Sequence, residues 1–406
     1  MSTTPQTATG AKIMDFLNKT TKDISTLKEE FVGNALFVMI LVLIVGGVLY
    51  FLYVYNLNSR ECSLMDSLYS TSSPYIVAID YTKPMANFKL NDFYIKTAYN
   101  CCSTGSYKND YVSLCALKNV IKQGVRCLDF EIYSIDDQPV VATSTVPNYY
   151  IKETYNSVPF SDAMSTIINY AFSGSTAPNP TDPILIHLRL QSTNQTMFTN
   201  CANIFKQYDN YMLGPHYSYE YTYANTEYDP QTGTTVKTDK FYTHNLGNIN
   251  LTDLSGNKVV IIVDRSNTSF MDNTRFYEYV NMTSNSMFMR ALNYYNVKFT
   301  PDMNELVEFN RQNMTIVFPD SGANPENPSQ TICQEMGCQL VAMRYQLFDA
   351  NLEGSMAFFD EAGSAFVLKP ERLRYIQMVI EDVPENPPQL SFETRTTTTD
   401  YYSIQT

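Results

Sequence analysis

Hydrophobic positions along this chain fall into distinct regimes. Residues 35–55 (ALFVMILVLIVGGVLYFLYVY) carry no charge and are apolar almost throughout. At about 1.5 Å per residue such a run spans the ~30 Å hydrocarbon core of a bilayer. Tyr50, Tyr53 and Tyr55 gather at one end, as an interfacial aromatic belt does. The run is too long, and starts too far from Met1, for a cleaved signal peptide, so a transmembrane helix is predicted over 35–55. In the polar segment 1–34, Ile13, Phe16, Leu17, Ile24 and Leu27 recur at helical spacing, which predicts a short amphipathic helix.

Past a predicted linker at 56–85, short apolar runs alternate with helical stretches. Strands are predicted at Phe93–Tyr99, Val125–Tyr133, Val140–Thr143, Ile184–Leu190, Lys258–Val263, Thr315–Phe318 and Gln339–Tyr345. Helices are predicted near Val112–Gln123, Phe160–Phe172, Met197–Tyr208, Ser286–Tyr295 and Met303–Arg311. Strands separated by helices over so long a stretch imply an α/β fold with a parallel sheet, and the size suits a (β/α)8 barrel. Gly214–Asn245 lacks periodicity and is predicted to be a long surface loop. The segment 383–406, with PENPPQ and TRTTTTDYY, is predicted to be a flexible tail.

The chemistry concentrates in Gly124–Val146. On its first strand Val125, Cys127, Asp129 and Glu131 share one face by the period of two. Two acids side by side on an apolar strand normally hold a metal or a catalytic proton.

Composition narrows the partners. The net charge is −13, which repels nucleic acid and anionic lipid heads. Lys19, Lys22 and Lys28 precede the apolar run and only Arg60 follows it closely. The positive-inside rule then places the N-terminus in the cytosol and the body in a lumen or outside. Sequons at Asn194, Asn250, Asn267, Asn281 and Asn313 are compatible with that side. The 8 cysteines form no CxxC pair and no zinc spacing with His. Buried free thiols are the expectation, with disulfides open to Cys62, Cys101, Cys102 and Cys115 in an oxidising compartment.

The body resembles the X and Y boxes of the phosphoinositide-specific phospholipase C catalytic barrel. The first box is carried by FYIKTAYN, ALKNVIKQGVRCLDFEIY, QPVV, PFSDAMSTIINYAF and DPILIHLRLQS, with LSGNKVVIIVDRS closing that half. The second is carried by MNELVEFNRQNMTIVFPD and GCQLVAMRYQ…GSAFVLKPERLR. The resemblance places an X-box-like half at 86–265, a connecting segment at 266–300 and a Y-box-like half at 301–382. It implies a distorted TIM-type (β/α)8 barrel, tethered by the single N-terminal transmembrane helix.

The family's reaction needs two His, a calcium ion held by Asn and acidic side chains, and basic residues that grip the head group. Carried over by position, the first His falls on Tyr99 and the second on Thr143. The calcium-ligand Asn is kept as Asn100 and two acidic ligands as Asp129 and Glu131, but the fourth ligand falls on Arg189. The gripping lysines fall on Ile262 and Asp264, and the Arg of the PKGxR segment has no counterpart near Ala323. His187 is the first His of the chain, so no shift of register restores an imidazole to either box. Tyr and Thr cannot titrate near neutral pH as the missing imidazoles would.

Arg189 is therefore expected to bridge Asp129 and Glu131 in place of the ion, with His187 a hydrogen-bonded core residue one layer deeper. The expected protein is a single-pass membrane-anchored phospholipase-C-like pseudoenzyme with a structural or protein-binding role. No catalytic residue, bound metal or cofactor is expected. Tyr99, Asn100, Asp129, Glu131, Thr143 and Arg189 form a vestigial site. Partners are the membrane and other proteins, not nucleic acid, and no small-molecule ligand is expected. The 31 Tyr, the many Asn and the absence of Trp point to a large DNA virus as source and a virion or envelope membrane as setting. The alternatives are a non-cleaving inositol-phosphate or lipid head-group binder, and a phosphodiesterase with a rewired site using Asp129, Glu131, Tyr99, Arg189 and His187.

Overall fold

A computed structural model describes residues 7–70, 74–146, 150–229, 234–376 and 394–405. Two units divide the chain, Met1–Arg374 and Tyr375–Thr406. In the larger unit, helix α1 (Thr7–Ser70) is continuous. Its apolar stretch is long enough and hydrophobic enough to cross a membrane, and most apolar side chains between Leu36 and Tyr55 are exposed. Residues 56–70 are not the linker expected from sequence, because the helix runs on through them. Leu57, Met65 and Tyr69 recur at spacings of four and eight, stack on one helix face and are buried against the globular body. Tyr69 donates to the Tyr345 carbonyl (2.5 Å) and Asn119 to Asp66 (2.7 Å). Cys62 is disulfide-bonded to Cys115. Cys101 and Cys102 are buried free thiols, as are Cys127, Cys201, Cys333 and Cys338.

The body begins with β1 (Phe93–Ala98), α2 (Leu114–Lys122) and β2 (Cys127–Ile135). An antiparallel excursion follows, β3 (Gln138–Ala142) and β4 (Val158–Pro159). Next come α3 (Phe160–Ala171), β5 (Ile184–Gln191) and α4 (Gln195–Gln207). The expected loop at Gly214–Asn245 contains a hairpin instead, β6 (Glu220–Asp229) paired with β7 (Thr234–Thr243). The alternating Tyr and Thr that lacked helical period are good strand formers. Then follow β8 (Val259–Asp264), the short α5 (Thr274–Tyr277), β9 (Met282–Ser284), β10 (Met289–Asn293) and α6 (Tyr294–Lys298). The helix expected at Ser286–Tyr295 is thus mostly strand: Met289 joins the barrel interior while Leu292 packs on the outer shell, facing the opposite way on the pleated strand. The second half continues with α7 (Met303–Gln312), β11 (Met314–Phe318), α8 (Gln330–Glu335), β12 (Leu340–Met343), α9 (Ala350–Ala362) and β13 (Phe366–Leu368).

The order β10-β11-β12-β1-β2-β5-β8-β9 is parallel throughout and nearly closes on itself. This is a TIM-type α/β barrel. Inward residues such as Ile95, Cys127, Leu185, Ile262, Ile316 and Leu340 fill the barrel. Outward residues such as Leu128, Phe130, Ile186 and Ile261 meet the helices. In the smaller unit, part of the expected tail pairs as a hairpin, β14 (Thr396–Thr398) with β15 (Ser403–Gln405). Residues 383–393 of that tail lie outside the described residues.

Candidate functional site

Parallel pairing brings the site together. The β2–β5 register sets Asp129 beside His187 and Glu131 beside Arg189, on faces that point into the barrel near its upper end. Immediately after β1, Asn100 takes a positive φ of 45°, a conformation Asn tolerates better than most residues. Its backbone N–H donates to Asp129 Oδ2 (3.2 Å) and its Nδ2 to Glu131 Oε1 (3.2 Å).

Arg189 completes the cluster. Its Nε and Nη2 donate to the two oxygens of Asp129 (3.0 and 2.7 Å), a bidentate pair. Nη1 donates to Glu131 Oε1 (2.7 Å), and Nη2 also to Asn100 Oδ1 (2.8 Å). The guanidinium lies 4.6 Å from the Tyr99 ring centroid and 5.3 Å from that of Phe318. Glu131 Oε2 accepts from Tyr133 (2.8 Å) and from the Ser144 N–H (3.1 Å). Both carboxylates are therefore saturated by protein donors.

Below this layer His187 is fully buried. Its Nδ1 lies 2.7 Å from Asp129 Oδ1 and its Nε2 2.9 Å from Ser284 Oγ. Ser284 could not be found from sequence because β9 is only three residues long (Met282–Ser284) and shows no period. Tyr133 was equally hidden; the available signal was its place two residues after Glu131 on the same strand face. Thr143 stands apart from the cluster. It is buried and donates to the Tyr107 carbonyl (3.0 Å). Of the expected grip positions, Ile262 is buried in the barrel and Asp264 lines its mouth.

Calcium takes six to eight oxygen ligands and needs them free. Here Asn100, Asp129 and Glu131 turn their oxygens to a guanidinium that already supplies the positive charge. The residues present do not fit the ion. Among the described residues no group of three or more His, Cys, Asp or Glu is gathered for a metal.

Burial by itself pushes the Asp129 carboxyl up, but the Arg189 charge and the His187 hydrogen bond together outweigh it and hold the group down at about 2. A folded pKa below the unfolded one adds stability that is complete above about pH 4 and is lost as pH falls toward 2. Asp129 is expected to contribute about 2 kcal/mol to acid unfolding over that window. An acid titration of unfolding against Asp129→Asn checks this; parallel titration curves would refute it. Tyr99, pressed against Arg189, is driven by burial well above the usual phenol range. It does not release its proton at neutral pH.

Above the cluster opens a cavity of about 230 Å³. Tyr99, Tyr107, Tyr133 and Phe318 provide aromatic wall, and Asp264 and Asp320 sit at its edge. Asp129, His187 and Ser284 do not line it.

Compared with known proteins, residues 86–224 match the phosphatidylinositol-specific phospholipase C X domain and residues 258–372 the Y domain of the same enzymes. Among solved structures, the chain is similar to PLC21 of S. officinalis, at 16% identity and TM-score 0.53, covering 74% of this chain and 39% of that one. It is likewise similar to PLC21 of L. pealei, at 18% identity and TM-score 0.52, covering 73% of this chain and 39% of that one. The chain thus spans well under half the length of either. No curated protein matches it significantly by sequence.

Proposed function

Because the chain belongs to the phosphatidylinositol-specific phospholipase C family, we propose that it is a membrane-anchored member whose barrel no longer hydrolyses phosphodiesters. In this reading the barrel serves as a structural or protein-binding body. One observation carries the proposal: the Arg189 guanidinium sits among Asn100, Asp129 and Glu131, with every carboxylate oxygen engaged. The two positions where the resemblance calls for imidazole hold Tyr99 and Thr143, which cannot shuttle a proton at neutral pH.

The disulfide Cys62–Cys115 joins α1, just past its apolar stretch, to the barrel. Such a bond persists in oxidising compartments. It supports a barrel on the lumenal or external side, with the N-terminus in the cytosol. Three sequon side chains are already engaged: Asn194, Asn267 and Asn281 each donate through Nδ2 to neighbouring groups, whereas Asn250 is exposed. The Tyr-rich, Trp-free composition favours a virion or envelope membrane of a large DNA virus as the setting. Proteomics of purified particles tests that assignment.

A second reading is worth testing because Asp129, His187 and Ser284 are connected as an acyl-transfer triad would be. All three are fully buried, which leaves no place for a substrate. Purified chain is expected to release no inositol phosphate from phosphatidylinositol above a heat-killed control. It is also expected to resist a serine-directed fluorophosphonate. Release of inositol phosphate would sink the pseudoenzyme reading; labelling at Ser284 would establish a rewired hydrolase.

A further inference from the structure

The part of α1 that precedes its apolar run carries an exposed apolar seam of its own. We propose that this seam pairs with the same segment of a second copy of the chain, as a parallel coiled coil beside the membrane. Its orientation rests on the membrane-anchored reading above, to which it adds a partner.

Register comes first. Ile13, Leu17, Ile24, Leu27 and Phe31, with Thr20 and Asn34 in the series, follow spacings of four and three in strict alternation. This is a heptad pattern, with Leu17, Ile24 and Phe31 at a and Ile13, Thr20, Leu27 and Asn34 at d. It runs for about three heptads. All the charges between Lys12 and Glu30 fall outside a and d. Lys12, Asp15, Lys19, Lys22 and Glu29 occupy c and f, the outer face of such a helix. The a residues are left open: Leu17 is 52% exposed, Ile24 59% and Phe31 74%.

Charge selects a second copy as the partner. In a parallel pair, position g of one helix faces position e of the next heptad on the other. Here g holds Asp23 and the e position five residues on holds Lys28. Two identical chains in register therefore set opposite charges face to face on both flanks of the seam. Copies inserted in one bilayer with a common orientation are parallel already. Asn34 at d has both a donor and an acceptor to offer the same residue of the other copy, a device that fixes register in coiled coils.

Geometry argues against lipid as the cover. Helix α1 is uninterrupted from Thr7 to Ser70, so its first part continues along the axis that crosses the bilayer. At ~1.5 Å per residue, Ile13 stands about 30 Å beyond the start of the apolar run. The seam points away from the membrane surface and does not lie on it. The helix also needs packing to hold it. Thr20, Thr21, Ser25 and Thr26 are weak helix formers whose hydroxyls donate back to the carbonyls of Phe16, Leu17 and Lys22. A helix of that composition draws its stability mainly from burial of an apolar face. Tethering both copies in one bilayer raises their effective concentration, so a short seam suffices.

The test uses the full chain in phosphatidylcholine vesicles. Single cysteines are introduced on the seam, as Leu17→Cys, Thr20→Cys or Ile24→Cys, and on the outer face, as Asn18→Cys, Lys22→Cys or Ser25→Cys. With copper phenanthroline, the seam variants are expected to form disulfide-linked dimers at least about tenfold faster than the outer-face variants, whose Cα atoms lie too far apart to be bridged. The parent chain, whose 6 free thiols are buried, should form none. Charge exchange gives a second readout. Asp23→Lys and Lys28→Asp each put like charges at the facing positions and should weaken self-association about fivefold, read by energy transfer between labelled copies. An equimolar mixture of the two variants should recover the parent affinity. Equal linking on both faces, no linking above the parent, or charge variants that associate as the parent does would each overturn the inference. Seam cysteines that stay unlinked in vesicles but capture another protein in cell membranes would overturn it in favour of a different partner. Alkaline carbonate extraction tells the two readings apart. An unlinked chain that stays in the bilayer overturns the coiled coil alone, whereas a released chain removes the membrane anchor and the parallel pairing with it.

Discussion

Replacing Arg189 by Leu is expected to destabilise the barrel by about 3–5 kcal/mol. The substitution strands Asp129, which is fully buried, and Glu131, which is nearly so. Among the described residues neither has another Lys or Arg side chain within salt-bridge distance, and the remaining side-chain neighbour of Asp129 is the His187 ring. Desolvated carboxylates without a counter-charge are strongly destabilising, whereas removing charge on both sides of the pair destabilises far less. The triple variant Arg189→Leu/Asp129→Asn/Glu131→Gln should therefore recover much of the lost stability. Thermal unfolding of the three proteins in detergent reads the effect directly. Loss of less than about 1 kcal/mol in Arg189→Leu, the range of a surface pair, would show that the cluster is not a buried bridge. Arg189→Glu supplies a sharper contrast, since it adds a third carboxylate beside Asn100. That variant should melt low in chelator and rise again with calcium, while the parent chain shows no calcium shift. A tight calcium site in the parent chain would refute the replacement of ion by arginine.

The second large effect belongs to Cys62–Cys115. The bond closes a loop with a sequence separation of 53, for which the chain-entropy relation gives about 4 kcal/mol of stabilisation. Reduction, or Cys62→Ser/Cys115→Ser, should lower the melting temperature of the part containing α1 and α2. The parallel barrel strands contain neither cysteine and should still form. Thiol counting in denaturant should give 6 reactive thiols before reduction and 8 after it. A count of 8 without reductant would place the barrel in a reducing compartment and remove the support for its external side.

Some of this site was legible because few residues and a short period determine it. Asp129 and Glu131 share a face by strand alternation, and Arg189 falls two residues after His187 on another inward-facing strand. Once the strands are parallel neighbours, the register sets Glu131 beside Arg189. Residues 56–70 were legible in retrospect. Leu57, Met65 and Tyr69 already carried a helical spacing, but the polar residues between them masked it. Met289–Asn293 misled in the opposite direction. FMRALNYY offers apolar residues at helical spacing, and pairing with β11 decided for a strand. Propensity is a weak prior, and a place beside an unpaired barrel strand overrides it.

By itself the sequence determined what the chain lacks and how far it can reach. No folding event supplies an imidazole before His187, and an uncharged run of membrane length stays such a run in any fold. Tertiary structure alone decided which cysteine meets Cys62, that Ser284 closes on His187, and that Asp264 and Asp320 line the same barrel mouth. Those outcomes depend on where strands and loops far apart in sequence converge. Hydrogen bonds and charge pairs act only over a few ångströms, so no local pattern encodes them.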